Sequence, residues 1–371
     1  MISLLTWTVF ILAIIAVARL MRIYELANEM RGGKPQWEVT ESDNRFNSRM
    51  MLLFAIAFFA FCFWLFFAYK DKLLPVSASE HGRQIDWLFN FNMVIIGVVF
   101  VAANAVLFFF GFKYYGSKKN NQATFFSESH KLELIWTIIP GVVLVVIIFL
   151  GIKTWNNITS PAQGESIVME LYAKQFDWTA RYAGKDNILG KRNFRLITDT
   201  NPMGLDYTDP NGKDDIVVHN EFHIPKGKQI DFKLGSRDVI HSAYMPHFRA
   251  QMNCVPGMTT MFHFVPTVTT EEMRKNPNVI KNIKEINELL AKKGEQPVEF
   301  NYLLLCNKIC GLSHYNMQMN IIVDEPDQFN AWLSTQKTVG ENLPAAASAQ
   351  TGAAPIAQVQ TENEKLIAEK K

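Results

Sequence analysis

The segment Cys306-Asn-Lys-Ile-Cys310-Gly-Leu-Ser-His314-Tyr-Asn-Met317 places two thiols, an imidazole and a thioether within a dozen residues. Soft sulfur combined with imidazole selects copper or zinc over hard ions. Zinc commonly takes two Cys and a His with a fourth ligand in structural sites. It rarely recruits a thioether, whereas Met is a usual weak ligand of electron-transfer copper. A mononuclear blue-copper site has a single Cys. A second thiolate four residues on lets both sulfurs bridge two coppers, which spreads one unpaired electron over the pair and lowers the geometric cost of each transfer. Such a pair needs another imidazole, and Asp238-Val-Ile-His241-Ser-Ala-Tyr-Met-Pro246 supplies a candidate.

The remaining donors assemble no second site. Cys62 lies in an apolar run and Cys254 is read as a packed small residue, because free Cys is among the most buried residue types. Four cysteines are too few for a disulfide framework. His219, His223, His247 and His263 show no ligand spacing, and no Cys-x-x-Cys-His string occurs to hold haem covalently. The formal charge is +2 with signs interleaved, so the basic stripe that a nucleic-acid partner requires is missing.

The elements that must carry these donors fall into two halves of the 371-residue chain. Up to about Trp155 apolar runs dominate, and a bilayer core is spanned by roughly 20 predominantly apolar residues in a helix. Four segments are expected to span: Ile2 to Ala18, Met50 to Ala68, Phe89 to Phe112 and Ile135 to Ile152. Membrane lipids are therefore an expected partner. Arg19, Arg22, Arg31, Lys34, Arg45 and Arg49 crowd the first loop and Lys113, Lys118, Lys119 and Lys131 the third, against Lys70, Lys72 and Arg83 in the second. Positive short loops stay on the cytoplasmic side, which puts the N-terminus and the C-terminal domain outside. A cleaved signal peptide ending near Ala16-Val-Ala18 is the rival for the first segment. It lacks a positive region ahead of its apolar run, and its removal would leave the C-terminal domain on the disfavoured side.

From Ser166 to Val323 short β-rich runs alternate polar and apolar residues between turns, as in Ser166 to Tyr172, Gln229 to Leu234, Thr260 to Val265 and Asn320 to Val323. This predicts an all-β sandwich or small barrel. Residues 269–299, with Val279 to Leu290 at helical spacing, read as a helical insertion on its surface. The expected organisation is two N-terminal helices with a cytoplasmic loop (1–68), a transmembrane hairpin (69–155), an outward metal-binding domain (156–337) and a disordered tail (338–371).

Cys-x-x-x-Cys-Gly-x-x-His-x-x-Met after Asp-Val-x-His-Ser-x-x-x-Pro resembles subunit II of the haem-copper cytochrome c oxidases. The resemblance extends through Ile85-Asp-Trp-Leu-Phe89 and Glu133-Leu-Ile-Trp136-Thr-Ile-Ile-Pro140 and covers about residues 84–335. It implies a bacterial inner-membrane protein with a cupredoxin-like sandwich holding two copper ions in a copper A centre. One copper would take His241 and Met317, the other His314 and the backbone carbonyl of Lys308, with Cys306 and Cys310 bridging. Cytochrome c, or a similar donor, would supply electrons. Subunit I, with other oxidase subunits, would carry them through haem to oxygen and pump protons. Glu133 would stand at the mouth of a proton channel, its plain alternative being an interfacial charge favoured by the dipole at a helix N-terminus.

Three positions depart from the family pattern. Lys308 replaces a Glu whose side chain also contacts magnesium; a backbone ligand tolerates the change, whereas an ammonium cannot ligate magnesium, and that ion is not expected here. Phe176 replaces the first Trp of the family's Gln-Trp-x-Trp, leaving Trp178 as a candidate on the electron path or as a core aromatic. Around Asn253-Cys254-Val-Pro256-Gly257-Met258 the usual flanking Asp and Arg are absent, so contacts with subunit I should differ. Of the competing functions, a quinol oxidase subunit lacks the copper ligands, and a membrane-tethered copper chaperone favours exposed Met- and His-rich runs. The copper A subunit of a nitric oxide reductase stays open as the alternative.

Overall fold

The computed structural model describes residues 2–30, 40–117, 122, 125–162 and 164–342. Arg31, Lys34, Lys118, Lys119 and the tail from residue 343 onward lie outside the described residues. The chain divides into two units, Met1–Lys70 with Val94–Trp136, and Asp71–Met93 with Thr137–Lys371.

The first unit contains α1 (Ile2–Met30), α2 (Glu41–Tyr69), the inner part of α3 (Glu80–Lys113) and the start of α4 (His130–Thr159). Thr40 opens α2 by accepting a hydrogen bond from Asp43 N–H while the Asp43 carboxylate accepts one from Thr40 N–H, which satisfies two backbone donors of the free helix end. Phe54, Phe58 and Phe59 of α2 meet Phe100 and Phe108 of α3 with ring centroids between 5.8 and 6.4 Å apart. Ser48 Oγ donates to Phe112 O at 2.5 Å and Asn44 Nδ2 to Gly116 O at 3.0 Å, which satisfies these polar groups of α2. Among the described residues three helices are long and apolar enough to cross a membrane: α2 with its terminal turn (Glu41–Lys72), α3 and α4. The fourth expected span therefore has no counterpart among these three. Its segment is helical and forms the first part of α1 (Ile2–Met30).

The second unit holds the outer parts of α3 and α4 and a two-sheet sandwich. Its strands are β1 (Ser166–Lys174), β2 (Asp177–Tyr182), β3 (Ile216–His219), β4 (Glu221–Pro225), β5 (Gln229–Ser236), β6 (His241–Met245), β7 (Ala250–Cys254), β8 (Thr260–Phe264), β9 (Tyr302–Cys306) and β10 (Gln318–Asp324). One sheet runs β3-β2-β1-β5-β8 and the other β4-β10-β9-β6-β7. The four runs picked out by alternation are β1, β5, β8 and β10. Met169, Leu171 and Ala173 point inward with Ile230, Phe232 and Leu234, and meet Phe222, Tyr302, Leu304 and Ile321 from the facing sheet.

Two features went unread in the sequence. On the outer face of the first sheet Arg181 is buried between Glu170 (2.5 Å) and Asp215 (2.8 Å), and Arg192 closes on Glu170 at 2.6 Å. These pairs pin the long connection between β2 and β3. Secondly, the tail boundary moves. Thr338 bridges Ile216, Val339 N–H donates to Asp215 O and Gly340 N–H to Lys213 O, so residues 338–342 belong to the sandwich rather than to a free tail.

The helical insertion is present as α5 (Thr270–Arg274) and α6 (Pro277–Lys293), and α7 (Pro326–Thr335) follows β10. Within this unit the sandwich is fastened to the outer end of α3 by Arg249. Its guanidinium donates to both Asp86 oxygens (2.7 and 3.1 Å) and to Pro75 O (2.6 Å).

His247 sits edge-on to Phe300 and Tyr302. Burial, reinforced by the Arg249 charge, lowers its pKa from 6.5 to about 4. The unfolded chain thus binds a proton that the folded one refuses between those values, and stability falls as pH drops from 6.5 toward 4, by about 3 kcal/mol for this group. In denaturant unfolding of the detergent-solubilised chain, His247→Phe is expected to remove that share of the acid sensitivity while leaving stability at pH 8 little changed.

Candidate metal centre

β9 and β10 are antiparallel, with Leu305 opposite Gln318, so the connection between them forms a loop at one end of the second sheet. Cys306 closes β9 and Met317 immediately precedes β10. β6 lies against β9 with Ala243 opposite Cys306, which sets His241, the first residue of β6, beside the same loop. Backbone bonds fix the base: Cys306 N–H donates to Met317 O (3.1 Å) and Asn307 N–H to Ser242 O (3.0 Å). Gly311, at φ +138°, lets the loop touch its wall; a Cβ there would stand 2.8 Å from the Phe176 ring and 2.9 Å from Gln175 Nε2.

The sulfurs of Cys306 and Cys310 are 3.8 Å apart and both cysteines are free. His241 Nδ1 is 3.7 Å from Cys306 Sγ, His314 Nδ1 is 3.5 Å from Cys310 Sγ, and Met317 Sδ is 3.9 Å from Cys310 Sγ. The Lys308 carbonyl oxygen is 3.2 Å from Cys306 Sγ, while the Lys308 side chain is exposed. Every donor singled out in the loop, and His241 from 65 residues away, therefore converges on one place. His241, Cys306 and Cys310 offer ligand atoms within 4.8 Å of one another, the one such group of His, Cys and carboxylates among the described residues. Cys306, Cys310, Met317 and His241 are all buried.

The surrounding shell orients the imidazole. Asp238 Oδ1 takes His241 Nε2 at 2.8 Å and its Oδ2 accepts from Gln175 N–H at 2.7 Å. Partial burial would raise the Asp238 pKa, but the hydrogen bonds from Gln175, His241 and Val239 outweigh it and hold the carboxyl below its usual value. A carboxylate only accepts, so the ring proton belongs on Nε2 and the Nδ1 lone pair faces the sulfurs. The Gln175 side chain also donates to Cys310 O at 2.5 Å, so one residue grips both the Asp238 and the Cys310 loops. Neither Gln175 nor the carboxylate of Asp238 declares itself by spacing alone. The Asp three residues before a ligand-type His was the available hint. Burial, together with the Cys306 sulfur, pushes the Cys310 thiol up to about 11.

Trp178 is fully buried, edge-on to the His241 ring with centroids 6.3 Å apart. Phe176, at the position of the family's first Trp, lies against Gly311 of the loop. Cys254 is buried opposite His241 in register, and burial pushes its thiol up to about 12, as befits a packed residue. His223 is taken by Asp324 (2.6 Å) and stacked on Trp332. Glu133 belongs to the first turn of α4, half-exposed, with His130 Nδ1 at 3.3 Å.

The chain is a membrane-anchored β-sandwich protein with a buried cluster of sulfur and imidazole ligands. The description "cytochrome c oxidase subunit II, transmembrane domain" matches residues 67–153. The chain is 32% identical over 262 residues to the alternative cytochrome c oxidase subunit 2 of Bradyrhizobium diazoefficiens, covering 70% of this chain and 83% of that protein. It is 26% identical over 302 residues to cytochrome c oxidase subunit 2 of Thermostichus vulcanus, covering 73% and 80%. The crystal structure of the periplasmic domain of cytochrome oxidase subunit II of Bradyrhizobium japonicum is similar at 22% identity, over 47% of this chain and 96% of that one, with a TM-score of 0.29. This chain belongs to the cytochrome c oxidase subunit II family, and so is a component of an oxidoreductase complex of the haem-copper type.

Removing the carboxylate behind a metal-ligating His typically costs 10–100-fold in metal affinity. Asp238→Ala is expected to weaken copper binding to the full-length chain by about that factor, measured by competition with a chromophoric chelator, with the far-UV circular dichroism spectrum unchanged.

Proposed function

We propose that this chain is the subunit through which electrons enter a respiratory terminal oxidase of a bacterial cell membrane. It takes them from cytochrome c, or a similar donor, and passes them to the haem of subunit I for reduction of oxygen to water coupled to proton pumping. The convergence of five donor side chains from two separated loops on one buried point carries this reading. The donor set fits copper rather than zinc, because a thioether and two adjacent thiols stand with the imidazoles. Cys306, Cys310, His314, Met317, His241 and the Lys308 carbonyl would hold two coppers, which when bound supply a one-electron store shared over two metals.

The remaining roles fall to the chain's own residues. Asp238 and Gln175 keep His241 and Cys310 in place in either redox state, which limits reorganisation. Trp178 offers a buried aromatic edge to His241 on the way from the metal into the sandwich. The exposed ammonium of Lys308 supplies positive charge where the family holds magnesium, and no magnesium is proposed at this loop. Glu133, at the helix start that the Lys and Arg bias puts inside, is the proposed proton-uptake carboxylate. α1 is proposed as a fourth span, which with the same bias sets the N-terminus and the sandwich outside. The relatives named above are oxidase subunits, and this weighs for oxygen over nitric oxide as the substrate of the complex.

Copper-loaded chain is expected to give an electron paramagnetic resonance spectrum with hyperfine coupling to two equivalent nuclei, collapsing to a one-nucleus pattern in Cys306→Ser. A one-nucleus spectrum from the unsubstituted chain, or stoichiometric zinc in the purified complex, overturns the dicopper reading. In the assembled oxidase, Glu133→Gln should slow turnover without altering that spectrum; unchanged turnover removes Glu133 from the proton path.

A further inference from the structure

Between the outer ends of α3 and α4 lies a groove of about 360 Å³ that the electron-transfer reading does not use. Arg83 and Gln84 of α3 face Lys153 and Asn157 of α4 across it, and Leu88 and Leu150 form its continuation toward the apolar runs. No carboxylate lines it. Glu80 and Asp86 stand three residues to either side of Arg83; neither lines the groove, and Asp86 is committed to Arg249. Neither Arg83 nor Lys153 has an ion-pair partner among the described residues.

Its level is set by the sequence. Lys153 follows directly on the apolar run ending at Ile152, and Arg83 precedes the run that begins at Phe89. The two helices cross in opposite directions, so both cations stand at the same membrane boundary. Trp87, 57% exposed and stacked on Phe91 at 5.4 Å, lies on the groove wall, and Trp155 is exposed on the same turn of α4 as Lys153. Amphipathic rings of this kind mark the headgroup level. A solvent-facing groove would not retain Leu88 and Leu150 as its floor. A purely lipid-facing surface would not gather two uncompensated cations.

We propose that this groove binds one anionic phospholipid, its phosphate between Arg83 and Lys153, neutral headgroup oxygens within reach of Gln84 and Asn157, and an acyl chain along Leu88 and Leu150. Charge complementarity selects an anion, and the apolar floor that continues into the spans selects a lipid over free phosphate.

The test is native mass spectrometry of the full-length chain released from mixed micelles of phosphatidylglycerol and phosphatidylcholine with identical acyl chains. One phosphatidylglycerol should be retained in preference to phosphatidylcholine, and Arg83→Gln with Lys153→Gln should lower its affinity about thirtyfold, at roughly 1 kcal/mol per cation. The charge-keeping pair Arg83→Lys and Lys153→Arg should retain it, separating loss of charge from loss of fold. Millimolar inorganic phosphate should not displace it. Equal retention of both lipids, displacement by phosphate, or unchanged retention in the double Gln variant overturns the proposal. So does a photocrosslinker at position 84 that, in the assembled oxidase, labels an acidic segment of a neighbouring subunit instead of lipid.

Discussion

The candidate metal centre depends on what the Asp238 carboxylate does with its two oxygens. One fixes the imidazole of His241 and the other accepts the N–H of Gln175 at the end of β1. Those two elements can meet only because β1 and β5 are parallel neighbours, with Ala173 opposite Ser236. Parallel strands deliver their C-terminal ends to the same edge of the sheet. An antiparallel pairing would send Gln175 and Asp238 to opposite ends of the sandwich. The loop between β9 and β10 then meets this edge from the facing sheet, and Gln175 reaches across to the Cys310 carbonyl. The candidate site is thus built at a seam, with the candidate ligands from one sheet and their supports from the other.

What surrounds the seam keeps it rigid. Below it lies a core of aromatic and aliphatic side chains, including Trp178, Phe222, Phe232 and Tyr302, none of which is exposed. On the outer face of the first sheet, Glu170, Arg181, Arg192 and Asp215 form a buried charged network. Networks of this kind add little net stability, and removing one member would leave a buried charge unpaired. Its work here is to fasten the long connection between β2 and β3 on a sheet whose central strand runs up to the site.

Much of this was legible in the sequence where the signal is local. Two thiols, an imidazole and a thioether within one loop declare soft-metal chemistry. Apolar runs declare spans, and alternation located β1, β5, β8 and β10. The insertion was equally plain, because Val279 to Leu290 repeat at helical spacing, and α6 (Pro277–Lys293) covers them. What remained hidden was long-range. Gln175 and Cys310 are 135 residues apart, Asp86 and Arg249 163, and no periodicity links either pair. Arg181 was hidden in a different way, since its ion pairs come from Glu170 on the neighbouring strand and from Asp215, 34 residues on. The end of the domain was misplaced because Thr338 to Gly340 pair through backbone atoms, which composition does not report.

The strand β1 also acts as a ruler. Nine residues at about 3.3 Å each give it a length of roughly 30 Å, and Gln175 follows directly at its far end. Register with β5 along eight pairs keeps that length from stretching or slipping. The distance from the strand's start, just beyond the last membrane helix, to the site is therefore counted in residues rather than left to a linker. A one-residue change would turn the Gln175 side chain away from Cys310. Only paired insertions in both β1 and β5 could lengthen the ruler and keep the grip, so the reach from anchor to site can evolve only by coordinated steps in two strands.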